Sequence, residues 1–194
     1  MGTIIALGEQ VNLMLPLNFK KEHQMMDEVL GDLATLLQKE DVEWSFELLD
    51  LFWRQLTVHI RAENVCLFPT ILNAPREIFG KNGLPDFEEV KVAIDQLRAD
   101  HNFLVDQLSQ ALRLLRELLN STDAPPADVV TNSIGEIRAR IMAVSERLRS
   151  HAELEEEQVY KWPELILSPE QLETLQEAFL REGDTIPRNV ARPG

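Results

Sequence analysis

Apolar residues recur at steps of three and four over four long stretches of this chain, with polar or proline-bearing segments between them. The first stretch predicts a helix from about Phe19 to Lys39. Its stripe is Phe19, His23, Met26, Leu30, Leu33 and Leu37, with Asn18 placed as an N-cap. The second runs from about Trp44 to Pro69 or just beyond, with the stripe Leu49, Phe52, Leu56, His59, Glu63 and Cys66. It is apolar nearly all round, which predicts deep burial, and Pro69 is expected to kink or end it. A loop from about Asn73 to Pro85 follows, carrying Pro75, Gly80, Gly83 and Pro85.

The third stretch, from about Asp86 to Leu119, has the cleanest stripe: Val90, Ile94, Leu97, His101, Leu104, Leu108, Leu112, Leu115 and Leu119. The fourth runs from about Ala127 to Trp162, with Ile134, Ile137, Ile141, Val144, Leu148, His151, Glu155 and Trp162 in register, and Pro163 is expected to stop it. Ser168 and Gln171 form a capping-box pattern, with Pro169 at the first position of a short fifth helix ending near Arg181. The expected fold class is all-α: an up-down-up-down four-helix bundle over residues 18–165, with a short extra C-terminal helix within 166–182. Residues 1–17 read as a weakly patterned arm and 183–194 as a disordered tail.

Composition supports this reading. Of 194 residues, 44% are hydrophobic and only 8 are glycine, and Leu, Glu, Ala, Arg and Gln dominate. The formal charge of −14 repels phosphate backbones and argues against a nucleic-acid partner. No apolar run approaches the roughly 18–20 residues of a membrane span, so no membrane partner is expected. The start, MGTIIALGEQ, lacks a basic segment and a long apolar run, so it does not read as a signal peptide. One cysteine, Cys66, excludes an intramolecular disulfide and fits a reducing, cytoplasmic setting.

The histidines carry the chemistry. The chain has four, His23, His59, His101 and His151, one on the apolar stripe of each long helix. In an up-down bundle, residues at one height are mirror-placed about the intervening turn. The midpoints between successive histidines are Asp41, Gly80 and Pro126, and each falls in an expected turn. The four imidazoles should therefore share one layer. Glu63 and Glu155 each follow a histidine by four residues, so each carboxylate stacks on the same helix face as its imidazole. A carboxylate on a buried face is costly unless paired or bound to metal.

Taken singly, a histidine on an apolar face is ordinarily a hydrogen-bonded core residue, and the acidic run Glu153, Glu155, Glu156 and Glu157 could be a solvated face. Taken together, four imidazoles and two carboxylates suit iron or manganese, with zinc possible. Two ions, each with two histidines and both bridged by the carboxylates, satisfy that inventory and leave open positions. Ferritin-like sites use Glu-x-x-His pairs and more carboxylates than imidazoles, the opposite order and ratio.

His23, the segment HIRAENVCLFP at 59–69, His101 and the segment HAELEEEQVYKWP at 151–163 together resemble the hemerythrin-like, HHE cation-binding family over about residues 18–165. The His-x-x-x-Glu pairs, each followed by an aromatic-Pro pair, recur twice, as in the two-fold internal similarity of that fold. The resemblance implies a di-iron centre, oxo- or hydroxo-bridged, with His23, His59, His101 and His151 as terminal ligands and Glu63 and Glu155 bridging. The chain departs from the oxygen carriers of the family: Val105 stands where they have another histidine, and Glu156 where they have aspartate. Fewer imidazoles leave more open positions, which favours sensing, nitric oxide response or peroxide chemistry over reversible oxygen carriage. Cys66 is expected to be a small core residue, Tyr160 a minor candidate for a ligand or radical site, and Glu156 a fallback ligand.

Two classes of function follow. One is a binding or sensing module for oxygen, nitric oxide or iron. The other is an enzyme turning over peroxide, nitric oxide or oxygen at an open metal position. A narrow apolar access path would favour the first, and a polar funnel with an acid-base group beside the metals the second. A purely structural metal site is the third possibility. The arm and fifth helix are expected to cap the bundle or to support a homodimer.

Overall fold

The computed structural model describes residues 15–121 and 125–183, and the side chains of 19–121 and 125–182. The expected arm and tail lie almost wholly outside the described residues. Every regular element among those described is helical. α1 (Leu15–Gln38), α2 (Val42–Ala62), α4 (Phe87–Leu119) and α5 (Ala127–Glu157) are the long helices. They pack in a ring, α1 on α2, α2 on α4, α4 on α5 and α5 back on α1, as an up-down-up-down bundle requires. α2 continues through a π-helical turn (Glu63–Leu67) into α3 (Phe68–Leu72), and α6 (Trp162–Ile166) and α7 (Pro169–Gly183) follow α5. No helix among the described residues is long and apolar enough to cross a membrane.

The turns use the chemistry their residues offer. The Asp41 side chain caps α2 by accepting from the Trp44 amide. Asp86 and Glu89 form a reciprocal capping box at the start of α4. Ser168 and Gln171 do the same at α7. Gly80 and Gly83 take positive φ in the α3–α4 loop, where a side chain would be strained.

Three expectations are corrected and one is narrowed. Asn18 is not an N-cap, because α1 already includes Leu15 and Pro16. Of the two outcomes expected at Pro69, a kink or an end, the helix does not end there but runs on to Leu72: the Phe68 amide reaches back five residues to the Glu63 carbonyl, and the widened turn accommodates a residue with no N–H to give. Pro163 does not stop α5, which ends at Glu157; the proline sits in the first turn of α6, where its missing N–H is not needed. α2 is not buried all round, since Trp44 is 36% exposed and Val65, in the π turn, 58%.

The apolar stripes pack as two clusters. One, from Met26, Leu30, Leu33, Leu49, Phe52, Leu108, Ile141 and their neighbours, fills the bundle towards the α1–α2 and α4–α5 turns. The other, from Phe19, Phe68, Ile71, Ile94, Leu97, Tyr160, Trp162 and Phe179, lies at the end covered by α3, α6 and α7. On every long helix the histidine falls between the residues of the two clusters. The polar layer is thus sealed above and below by apolar side chains.

Candidate metal centre

His23, His59, Glu63, His101, His151 and Glu155 all meet in that layer, each 6% exposed or less. The two carboxylates lie between two pairs of imidazoles. Glu63 directs Oε1 towards His59 Nε2 (3.4 Å) and Oε2 towards His101 Nε2 (3.1 Å). Glu155 directs Oε2 towards His23 Nε2 (3.3 Å) and Oε1 towards His151 Nε2 (3.0 Å). Each carboxylate therefore gives one oxygen to the His23–His59 pair and one to the His101–His151 pair. Two overlapping groups, Glu63, His101, His151, Glu155 and His23, His59, Glu155, place their ligand atoms close enough to hold a metal ion each.

The atoms facing inward fit a cation. His23 Nε2, His59 Nε2, His101 Nε2, Glu63 Oε2 and Glu155 Oε1 are buried without a hydrogen-bond partner among the described residues. Five such atoms in one layer would be costly in a metal-free interior, and bound cations could satisfy them.

The outward Nδ1 atoms face four further residues, of which the sequence reading singles out only Glu156. Glu22 Oε2 lies 3.1 Å from His59 Nδ1, and Glu156 Oε1 3.0 Å from His23 Nδ1. The Asn64 amide lies 3.1 Å from His101 Nδ1. Asp100 Oδ2 is 3.6 Å from His151 Nδ1, too long for a direct hydrogen bond but close enough for charge attraction, and Arg147 and Gln96 fix that carboxylate. Partners of this kind orient an imidazole and raise its basicity as a ligand. Glu156 thus stands behind His23 rather than among the inward atoms. A signal was there to read: an acid precedes both His23 and His101, and a polar residue follows both Glu63 and Glu155.

The electrostatics match a site built for positive charge. Burial alone would lower the pKa of His59, but Glu63, Glu22 and Glu155 outweigh it and raise it to about 9. Burial likewise opposes protonation of His151, and Glu155 and Asp100 raise its pKa to about 10. Burial would raise Glu155, yet His151, His23 and His59 hold it well below the usual carboxylate range. Asp100 is also lowered: burial opposes this, and His151, Arg147 and Gln96 overcome it.

Tyr160 completes the floor. It is 1% exposed, and its hydroxyl lies 2.5 Å from Glu63 Oε1 and 2.9 Å from Glu155 Oε2. Burial and the two carboxylates push its pKa well up. Cys66 does not reach the layer. It is half-buried against the α3, α6 and α7 cluster and lines the groove between α3 and α7, and burial raises its thiol pKa. Val105, where oxygen carriers have another histidine, is 37% exposed and leaves that position without a ligand. A cleft of about 210 Å³ between α1 and α5 reaches His23 from outside, lined by Lys20, Gln24, Asp27, Arg149 and Glu156 among others.

The chain matches the family model described as the hemerythrin HHE cation binding domain over residues 17–163, and it belongs to that family. No curated protein and no solved structure matches it.

Proposed function

We propose that this hemerythrin-family chain is a non-haem di-iron protein that binds or senses a small molecule, oxygen or nitric oxide, at the His/Glu layer. His23 and His59 would hold one ion and His101 and His151 the other, with Glu63 and Glu155 bridging. The observation that carries this reading is the split of each carboxylate, one oxygen to each imidazole pair. A single ion would leave one pair unused. Four imidazoles with two carboxylates suit iron, with manganese or zinc as lesser fits. When bound, the irons would supply redox change and open coordination positions. The chain's own residues orient the imidazoles from behind and exclude bulk water with the apolar clusters on either side. The lone cysteine fits a reducing, cytoplasmic setting.

A second reading, turnover of peroxide, draws on the cleft at His23. Lys20, Asp27, Arg149 and Glu153 stand around it beside the apolar Leu148 and Ala152, and Glu156 touches both the cleft and the His23 imidazole. A polar entrance with an acid-base group beside the metals suits a substrate that must exchange protons.

Metal analysis with an absorption spectrum of protein from iron-replete cells is the first test. About two irons per chain are expected from the ligand inventory. One zinc, or no metal, would overturn the di-iron reading. Loaded protein that consumes peroxide catalytically supports the second reading, and loaded protein that only binds oxygen or nitric oxide supports the first.

A further inference from the structure

The two halves of the site repeat one plan, and one position breaks it. Glu22 precedes His23 and reaches His59, while Asp100 precedes His101 and faces His151. Asn64 follows Glu63 and reaches His101, while Glu156 follows Glu155 and reaches His23. The next correspondence is aromatic. Phe68 and Tyr160 each lie five residues after a bridging glutamate. Phe68 stacks on His101 at 5.8 Å between ring centroids and 14° between planes. Tyr160 stacks on His23 at 6.1 Å and 18°. The rings match in place and differ by one oxygen.

That oxygen is not placed at random. The Tyr160 hydroxyl contacts Glu63 Oε1 and Glu155 Oε2, the same two oxygens that face His59 and His23. It makes no hydrogen bond to the oxygens on the His101–His151 side. Phe19 also stacks on the ring, at 4.4 Å between centroids, and helps fix its position. Four inward atoms, His23 Nε2, His59 Nε2, Glu63 Oε1 and Glu155 Oε2, thus have a fifth donor atom beside them, the Tyr160 oxygen, and the matching group around His101 and His151 has the Phe68 phenyl ring instead.

We propose that Tyr160 is a protein ligand of the iron held by His23 and His59, so that the iron held by His101 and His151 is the one with room for a small molecule. The inference rests on the di-iron reading above and deepens it by making the two irons inequivalent. On coordination the phenol O–H bond is replaced by an oxygen–iron bond, and the proton it now shares with the carboxylates leaves to water. The His101–His151 iron keeps an open position because Phe68 has no donor atom to fill it.

Tyr160 is the chain's one tyrosine, so a single spectrum of the wild-type protein decides the matter. The full chain is loaded with two ferric ions and examined by visible absorption and by resonance Raman spectroscopy excited in the visible band. A phenolate-to-iron charge-transfer band with enhanced tyrosinate ring modes is the expected result, and Tyr160→Phe should lose both while retaining its iron. Two irons per wild-type chain without those features would overturn the proposal and leave the di-iron reading standing. A band that survives in iron-loaded Tyr160→Phe would overturn it as well. A wild-type chain that takes up no iron would sink both.

Discussion

The carboxylate of Glu22 lies 3.1 Å from Nδ1 of His59, although Glu22 is the neighbour in sequence of a different ligand candidate, His23. Adjacent residues on a helix point about 100° apart. One can therefore face the bundle axis while the other reaches sideways to the next helix. The same step recurs in the second half, where Asp100 precedes His101 but faces His151. Each long helix thus supplies an inward ligand candidate and also steadies the imidazole on a neighbour. The layer is cross-tied around the ring, not merely stacked.

Glu22→Ala is therefore expected to weaken metal binding by about 10–100-fold, the usual cost of losing a partner behind a ligand imidazole. Glu22→Gln should recover part of the loss, since the amide oxygen can still accept from Nδ1. Competition with a chelator of known affinity would measure this. Equal affinities for wild type and Glu22→Ala would mean that His59 is held in place by packing against Phe19 alone.

His101→Ala should cut metal content sharply while far-ultraviolet circular dichroism keeps its helical signal. The apolar clusters on either side of the layer remain, and they carry the packing. Glu153→Ala is the matched control. Glu153 is exposed at the rim of the cleft and directs nothing inward, so metal content should not change. Loss of metal in Glu153→Ala and not in His101→Ala would show that the charged cleft, not the buried layer, holds the ion.

Much of this was legible in the sequence because two periodicities agree. The 3.6-residue stripe placed His23, His59, His101 and His151 on buried faces. The turn midpoints Asp41, Gly80 and Pro126 set them at one height, and the structure places those residues at the α2 cap, in the α3–α4 loop and at the α5 cap. The i,i+4 spacing then brought Glu63 and Glu155 into the same layer. Regular α-helix was also the limit of that reading. Five residues along an ideal helix turn about 500°, which leaves Phe68 and Tyr160 roughly 140° off the ligand face. The π turn after Ala62 and the break at Gln158 redirect both rings onto the imidazoles. Departures from α-geometry are set by packing at the α3, α6 and α7 end, and stripe periodicity carries no trace of them.

Stripping the metal should lower the melting temperature and leave the fold cooperative. An ion present at 100 times its dissociation constant stabilises the native state by about 2.7 kcal/mol. For a chain of this size that corresponds to a shift of roughly 5–11 °C. Differential scanning calorimetry before and after chelation checks it. An unchanged melting temperature would mean that the ion is bound too weakly, or too peripherally, to be linked to folding.

The metal-free protein should also become less stable as pH rises, the reverse of its metal affinity. Burial opposes the charged form of His59 and His151, yet the carboxylates around them raise the folded pKa values from 6.5 to about 9 and about 10. Both groups bind protons more tightly folded than unfolded. Their contribution to stability is complete below pH 6.5 and is lost as pH climbs through 9 and 10. Metal loading runs the other way, because each ion must displace the protons held on these imidazoles. Affinity should therefore increase over the same interval. Thermal melts of the apoprotein from pH 6 to 10, set beside chelator competition over the same range, give two curves of opposite slope. An apoprotein melting temperature that is flat across that range would show that attraction to Glu63 and Glu155 does not outweigh burial, and that the imidazoles are already neutral and ready for metal at pH 7.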